Sequence, residues 1–468
     1  MGRAIESIPW TDLYILDGFA IVLFLLSYYR KCYRKGYRID FWHAELFLFF
    51  ILPNMIMLPF AKSELNVIVV GRDMAGVVAA LPIVFLITML GYFLVLAGGG
   101  LWRLRAGLGL RKTAVQLLDV VPRCSMMLMS SRNILVFQSA LCIVLQLMIL
   151  ALYFSKSGLA FDLRSYTFEN PTLRPIALVI SNYSVIIASH CLARYVDTKE
   201  RILLGCTLML TLGLVFFGAR GNLAAIYINV LLCYLVSRRQ KVSLFRIAAL
   251  ISIITIVGFY LGNARAGEYS VSGFFTSFIT LLFYGNNFSD LRDFAWVYSG
   301  WDHIFWAGKT YLAAVLSFVP RFASQFRDTW GMGVATASTV GLDPQVHPGL
   351  RPGVLGEGFF NFGLPGVIAV ALMLGIVMRR VDLDVKAAFL SSTPSMMKAF
   401  ASTMLLAVAT AFAVSAGFSG LYILVGIYLF SWLCLCVQRV FQPGSKFMDG
   451  AGRLPAPIFP PNSPGHIP

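Results

Sequence analysis

The side chains able to do chemistry in this chain are few, and most of them are arginines. Arg220 sits in Phe217-Gly218-Ala219-Arg220-Gly221-Asn222, a tight turn between two apolar runs. Two glycines there let backbone approach an anion, and the helix that follows points its positive dipole end at the same place. An arginine at such a turn also reaches lipid headgroups without any further role. Arg265 lies in Asn263-Ala264-Arg265-Ala266-Gly267-Glu268, and Arg292, Arg321, Arg327 and Arg351 follow with a single lysine, Lys309. A guanidinium is a planar fork of donors that matches phosphate oxygens in pairs, so a diphosphate at a membrane surface is the ligand this set suits. The competing reading pairs these arginines with Asp290, Asp293, Asp302, Asp328 and Asp343. For Arg292, between Asp290 and Asp293, pairing is preferred.

The densest stretch runs from His347 to Gly366: His-Pro-Gly-Leu-Arg-Pro-Gly-Val-Leu-Gly-Glu-Gly-Phe-Phe-Asn-Phe-Gly-Leu-Pro-Gly. Glycine and proline supply turns, and phenylalanine anchors a helix end at a membrane interface. That does not account for Glu357, a carboxylate among aromatics. Partial desolvation there would suit it to general-base work, and His347 is the other nearby side chain able to exchange a proton. No Ser-His-Asp order, HExxH, Walker A or paired metal-ligand spacing is present, and neither a metal nor a cofactor is expected.

The elements that must position these residues follow from composition. Of 468 residues 58% are hydrophobic and only 13% charged, and mean hydropathy is +0.76. Soluble domains carry roughly 25% charged residues, so a soluble enzyme, a disordered chain and a disulfide-rich secreted module are excluded. The net charge of +16 does not indicate nucleic acid, because the charges alternate with apolar stretches as loops do between spans. The fold class is all-α polytopic, with eleven spans near 12–29, 43–60, 76–98, 133–155, 175–193, 202–218, 222–237, 246–262, 360–378, 399–417 and 420–438. The first run carries no cleavage-site pattern and is expected to stay as a span. The basic loop Arg30, Lys31, Arg34, Lys35 and Arg38 is placed inside. By parity the N-terminus is then outside and the C-terminus inside, and the external segments come out close to neutral.

Four regions result: 1–262 with spans one to eight, a large external loop at 263–359, 360–438 with spans nine to eleven, and a proline-rich tail at 439–468 that should be disordered. The loop contains Trp296, Trp301, Trp306 and Trp330, and its apolar runs at 274–284 and 304–319 read as helices lying in the interface. Cysteines fall in spans or basic loops, so no disulfide is expected, and Cys434-x-Cys436 reads as packing. Asp17 and His190, the main polar exceptions within spans, read as structural, with Asp17 near enough to the outer end to reach water.

Three segments in this order resemble the Wzy-type polymerases of lipid-linked oligosaccharide repeat units, the O-antigen and exopolysaccharide polymerases of bacterial inner membranes. They are Gly218-Ala219-Arg220-Gly221, Val319-Pro320-Arg321, and Gly356-Glu357-Gly358-Phe359-Phe360-Asn361-Phe362-Gly363 with Pro365-Gly366. After Pro-Arg that family often continues with Lys-Pro, whereas here the chain reads Phe322-Ala323-Ser324-Gln325-Phe326-Arg327. The resemblance implies glycosyl transfer at the periplasmic face, from undecaprenyl diphosphate onto a new lipid-linked unit. Glu357, His347 and Arg351 would be catalytic; Arg220, Arg265, Arg321, Arg327 and Asn361 would bind substrate. Implied partners are undecaprenyl-diphosphate-linked oligosaccharides, membrane lipid, a flippase and a chain-length co-polymerase. The nearest alternative is an O-antigen ligase, which differs in its acceptor. From another class comes a lipid-linked oligosaccharide flippase or transporter, which would need charges inside the spans.

Overall fold

The computed structural model describes residues 10–33, 40–51, 74–101, 110–157, 170, 173–217, 220–237, 290–319, 323–344, 349–390 and 394–441. Every regular element among them is helical. In chain order they are α1 (Trp10–Tyr28), α2 (Phe41–Leu46), α3 (Met74–Leu101), α4 (Leu110–Ser130), α5 (Arg132–Ser157), α6 (Leu173–Thr198), α7 (Arg201–Phe216) and α8 (Arg220–Ser237). Then follow α9 (Asp290–Gly300), α10 (Lys309–Val315), α11 (Gln325–Trp330), α12 (Met332–Thr339), α13 (Gly353–Leu390), α14 (Met396–Ala413) and α15 (Phe418–Phe441).

Seven helices are long and apolar enough to cross a membrane, and they begin at Thr11, Ala75, Arg132, Leu173, Gly353, Met396 and Phe418. The chain is a polytopic α-helical membrane protein. Of the other four expected spans, 202–218 and 222–237 correspond to the shorter apolar helices Arg201–Phe216 and Ala225–Val236. The run 43–60 starts as α2, followed by a π-helical turn at Phe47–Ile51, and 246–262 lies outside the described residues. So do the run 274–284 and the tail 442–468. Hydropathy did not anticipate α4. It carries Arg111, Lys112, Asp119 and Arg123 with Pro122 inside, so its pattern reads as a basic loop, yet it buries Leu128 and Met129.

The chain divides into two compact units. The first comprises Met1–Leu104, Tyr234–Leu383 and Leu406–Leu421; the second comprises Arg105–Cys233, Asp384–Leu405 and Tyr422–Pro468. In the first, α3 and α13 meet backbone to backbone. A Cβ on Gly98 would lie 2.6 Å from the Leu372 carbonyl oxygen, and Gly91 and Gly375 lie as tightly on Leu355 and Val95. Small residues permit this close approach where no hydrophobic force joins helices in lipid. The helix α9 packs along α3 and brings the loop module onto that pair.

In the second unit α5, α6 and α7 pack together and cross-link through buried polar side chains. Gln146 Nε2 donates to Ser184 Oγ at 2.8 Å and Gln138 Nε2 to Ser431 Oγ at 2.7 Å. His190 has no exposed surface; Nδ1 donates to the Ile186 carbonyl at 2.7 Å and Nε2 accepts from Ser125 Oγ at 2.9 Å. Asp17, in the first unit, does not reach water: it is buried, and Oδ1 has no hydrogen-bond partner among the described residues. No disulfide joins cysteines among the described residues.

Candidate functional site

The site is built around a break in α13. Gly363 has φ 66° and ψ −151°, a region that only glycine occupies without strain. The break separates a short helix, 353–362, from the long one that continues to Leu390, and Pro365 starts the second helix where its missing amide costs nothing. The two pieces fold against each other at Gly358 and Gly366, whose backbones touch.

Breaking the helix orphans the last carbonyls of its first piece. The Trp306 amide donates to the Phe360 carbonyl at 2.9 Å and the Ala307 amide to the Asn361 carbonyl at 3.0 Å. The segment that supplies them is unusually turned, with positive φ at His303, Ala307 and Gly308. Trp301, Trp306, Phe294 and Phe359 pack around Phe360 with ring centroids 5.1–5.9 Å from it. These rings bury one face of the short helix.

Glu357, one turn before Phe360 on the short helix, has no exposed surface. Its Oε1 accepts from Thr310 Oγ at 2.9 Å and its Oε2 from the Ser415 amide at 2.9 Å. Asn361, one turn on, donates from Nδ2 to Thr310 Oγ at 2.8 Å and to the Glu357 carbonyl at 2.9 Å. One carboxylate thus ties α10, α13 and the 3₁₀ turn Ser415–Gly417 together. Asn361 Oδ1 is buried without a hydrogen-bond partner among the described residues. Beside the knot Tyr311 donates to the Ala413 carbonyl at 3.1 Å. Burial, and then the Glu357 charge, push its hydroxyl well above the usual phenol range.

A second polar layer holds the residues that lead into α13. Arg292 and Asp293 are buried and joined at 2.7 Å, as their adjacency in sequence predicts. Asp293 Oδ2 also accepts the Arg351 amide at 3.1 Å, while Thr336 Oγ accepts the Leu350 amide at 2.9 Å. Arg351 is therefore fixed by its backbone while the residue itself is exposed. The Asp290 carboxylate lies against Gly353. Asp290 itself keeps exposed surface, yet the protein packed around it and the neighbouring Asp293 charge raise its pKa to about 6, and Arg351 pulls the other way.

Of the anticipated site residues, Glu357, Asn361, Arg351 and Arg327 belong to this one unit. Arg327 donates to the Val319 carbonyl, and Lys309 sits 4.2 Å from the centre of the Trp330 ring. Arg220 is the first residue of α8 and belongs to the second unit. His347, Arg265 and Arg321 lie outside the described residues. Thr310 and Ser415 were not anticipated; no local motif marks them, because their partner is 47 and 58 positions away.

The flank of the module is apolar and open. Leu312, Val315 and Phe318 recur three apart and are exposed, as are Ile304, Phe305 and Phe362. Tyr311 stacks on Phe362 at 6.2 Å, and the exposed row continues onto the long helix at Leu364 and Ile368. Helices of this kind lie in a membrane interface with their apolar side in the acyl region. The arrangement offers an exposed guanidinium, a shielded carboxylate and an apolar flank in one unit. Comparison with known protein families, with curated proteins and with solved structures returns no match to this chain.

Proposed function

We propose that the protein is a membrane glycosyltransferase that polymerises undecaprenyl-diphosphate-linked oligosaccharide repeat units at the periplasmic face of a bacterial inner membrane. The observation that carries this reading is the placement of Arg351. Its exposed side chain leads into the helix that holds Glu357, in a module whose open apolar flank suits a lipid-borne substrate. In the proposed reaction the bond between the donor sugar and its diphosphate breaks, and an acceptor hydroxyl oxygen forms the new glycosidic bond. Arginine stabilises the charge that develops on the departing diphosphate, so no metal is called for. Arg351 takes this role, and the resemblance assigns substrate binding to Arg220, Arg265, Arg321 and Arg327.

Glu357 receives the acceptor proton, with His347 the alternative base. Each oxygen of Glu357 accepts one hydrogen bond in the structure and keeps a second lone pair for an incoming hydroxyl. Asn361 Oδ1, buried and unfilled, supports this reading, since it offers that hydroxyl a second acceptor.

The test is deletion of the gene followed by sizing of surface and lipid-linked glycans, then complementation with Arg351→Ala and Glu357→Gln at normal protein level. Polymerisation predicts single unextended repeat units in all three strains. Full-length lipid-linked chains that fail to reach their final acceptor would indicate a ligase. Full-length glycan from both variants would remove Arg351 and Glu357 from the reaction.

A further inference from the structure

A second constellation lies in the same unit, where α1 approaches α2. Ser27 Oγ and His43 Nε2 are 3.0 Å apart, and His43 Nδ1 faces Asp40 Oδ1 at 3.7 Å. One imidazole is thus flanked on its two nitrogens by a hydroxyl and a carboxylate. In the tautomer that carries its proton on Nδ1, the side of the carboxylate, Nε2 accepts from Ser27. The side chains of His43 and Asp40 are each 2% exposed, and Ser27 is half-buried. The Asp40 carboxylate also accepts the Trp42 amide at 3.0 Å. It is held by its own helix whether or not the histidine is present. Phe24 and Tyr28 clamp the imidazole, each with its ring centre 5.8 Å away.

These groups open on a cavity of about 60 Å³. Leu23, Leu46, Tyr92 and Leu96 wall it, with Ser27 and His43 at its edge. A space of this size has room for a short acyl group such as acetyl.

We infer that Ser27, His43 and Asp40 form an esterolytic site for short acyl esters, separate from the Glu357 site. Nucleophile and base are in hydrogen-bond contact, and the Asp40 carboxylate lies beside the other ring nitrogen at ion-pair rather than hydrogen-bond distance; this is the order of groups that activates a serine hydroxyl on unrelated folds. Ser27 Oγ attacks the acyl carbonyl carbon while its proton passes to His43 Nε2. The carbonyl–alkoxy bond breaks, the alcohol leaves with the proton from His43, and the acyl group remains on Ser27. Water then attacks the acyl-serine, His43 takes the water proton and returns it to Ser27 Oγ, and the short carboxylic acid is released. Ser27 and His43 are the catalytic residues, and Asp40 is a positioning residue.

The test uses full-length protein in detergent micelles. Methanesulfonyl fluoride, itself acetyl-sized, should sulfonylate Ser27, as peptide mapping by mass spectrometry reads directly on the wild-type chain; the bulkier phenylmethanesulfonyl fluoride should react far more slowly. Labelling and hydrolysis of p-nitrophenyl acetate should disappear in Ser27→Ala and His43→Ala. Asparagine caps a helix as well as aspartate does, so Asp40→Asn keeps α2 while removing the charge. It should lower kcat at least tenfold and leave KM unchanged. No adduct on Ser27 in folded wild-type protein, or equal labelling in His43→Ala, would show a structural hydrogen bond only and overturn the proposal.

Discussion

The Ser415 amide donates to Glu357 Oε2 at 2.9 Å across 58 positions of sequence. With the Thr310 hydroxyl on the other oxygen, the carboxylate is an anchor between three elements before it is anything else. Its removal leaves two buried donors unpaired, each costing about 1–3 kcal/mol. Glu357→Ala should therefore destabilise the protein by about 3 kcal/mol in thermal unfolding. Glu357→Gln keeps an acceptor for the Ser415 amide and an amide for Thr310 Oγ, and should lose less than half of that. If the glutamine variant folds and still leaves repeat units unextended, the anchoring and proton-accepting roles are separated.

Gly363 sets the break that makes the site. At φ 66° and ψ −151°, a Cβ would be strained, and it would stand 3.0 Å from the Phe305 ring. Gly363→Ala should cost about 1–3 kcal/mol. The control is Gly426→Ala in α15, where nothing lies within 4 Å of the added methyl. There alanine should be neutral or stabilising by up to ~1 kcal/mol, because it is the better helix former. Parallel unfolding curves that shift alike for the two variants would contradict the account of the break.

How much of this was legible in sequence depends on distance along the chain. The spans were, since a run of apolar residues carries its own signal; the seven long helices coincide with seven of the expected runs. The Arg292–Asp293 pair was, because the partners are neighbours. Glu357 stood out as a carboxylate among phenylalanines, but Thr310 and Ser415 did not, because a threonine or a backbone amide has no distinctive pattern until folding brings it to a charge. The helix α4 was hidden by its own arginines and Asp119, which mimic a loop. Ser27, Asp40 and His43 match no motif spacing, and only the return of the chain from α1 into α2 places them together.

Asp197 shows the same long-range logic in the second unit. It sits in the last turn of α6, where a negative charge opposes the helix dipole, yet Oδ1 accepts the Met396 amide at 2.8 Å. Oδ2 accepts the Met397 amide and Ser395 Oγ, each at 2.9 Å. It therefore caps the start of α14 from a distance and fills donors that helix leaves open. Asp197→Ala should cost about 2–4 kcal/mol, the sum of a cap and charge-assisted hydrogen bonds, with Asp197→Asn intermediate. Thermal unfolding in one detergent compares the two.

Arg351 and Asp290 make the last prediction, because protonation of one alters what the other can bind. The pKa of Asp290 lies near 6, above its ordinary 3.8, so the folded state holds the proton more tightly than the unfolded chain. Its contribution to stability is thus fully present below about pH 4, is lost as pH rises through about 6, and does not change further above that. Over the same range Asp290 acquires the charge that competes with any anion at Arg351. Binding of inorganic diphosphate, followed by titration calorimetry and corrected for the charge that diphosphate itself gains over this range, should therefore weaken between pH 5 and pH 7. Asp290→Asn should flatten that dependence and keep the tighter binding at pH 7, whereas Arg351→Ala should abolish binding at both. Diphosphate binding that is indifferent to Arg351→Ala would place the anion elsewhere in the protein.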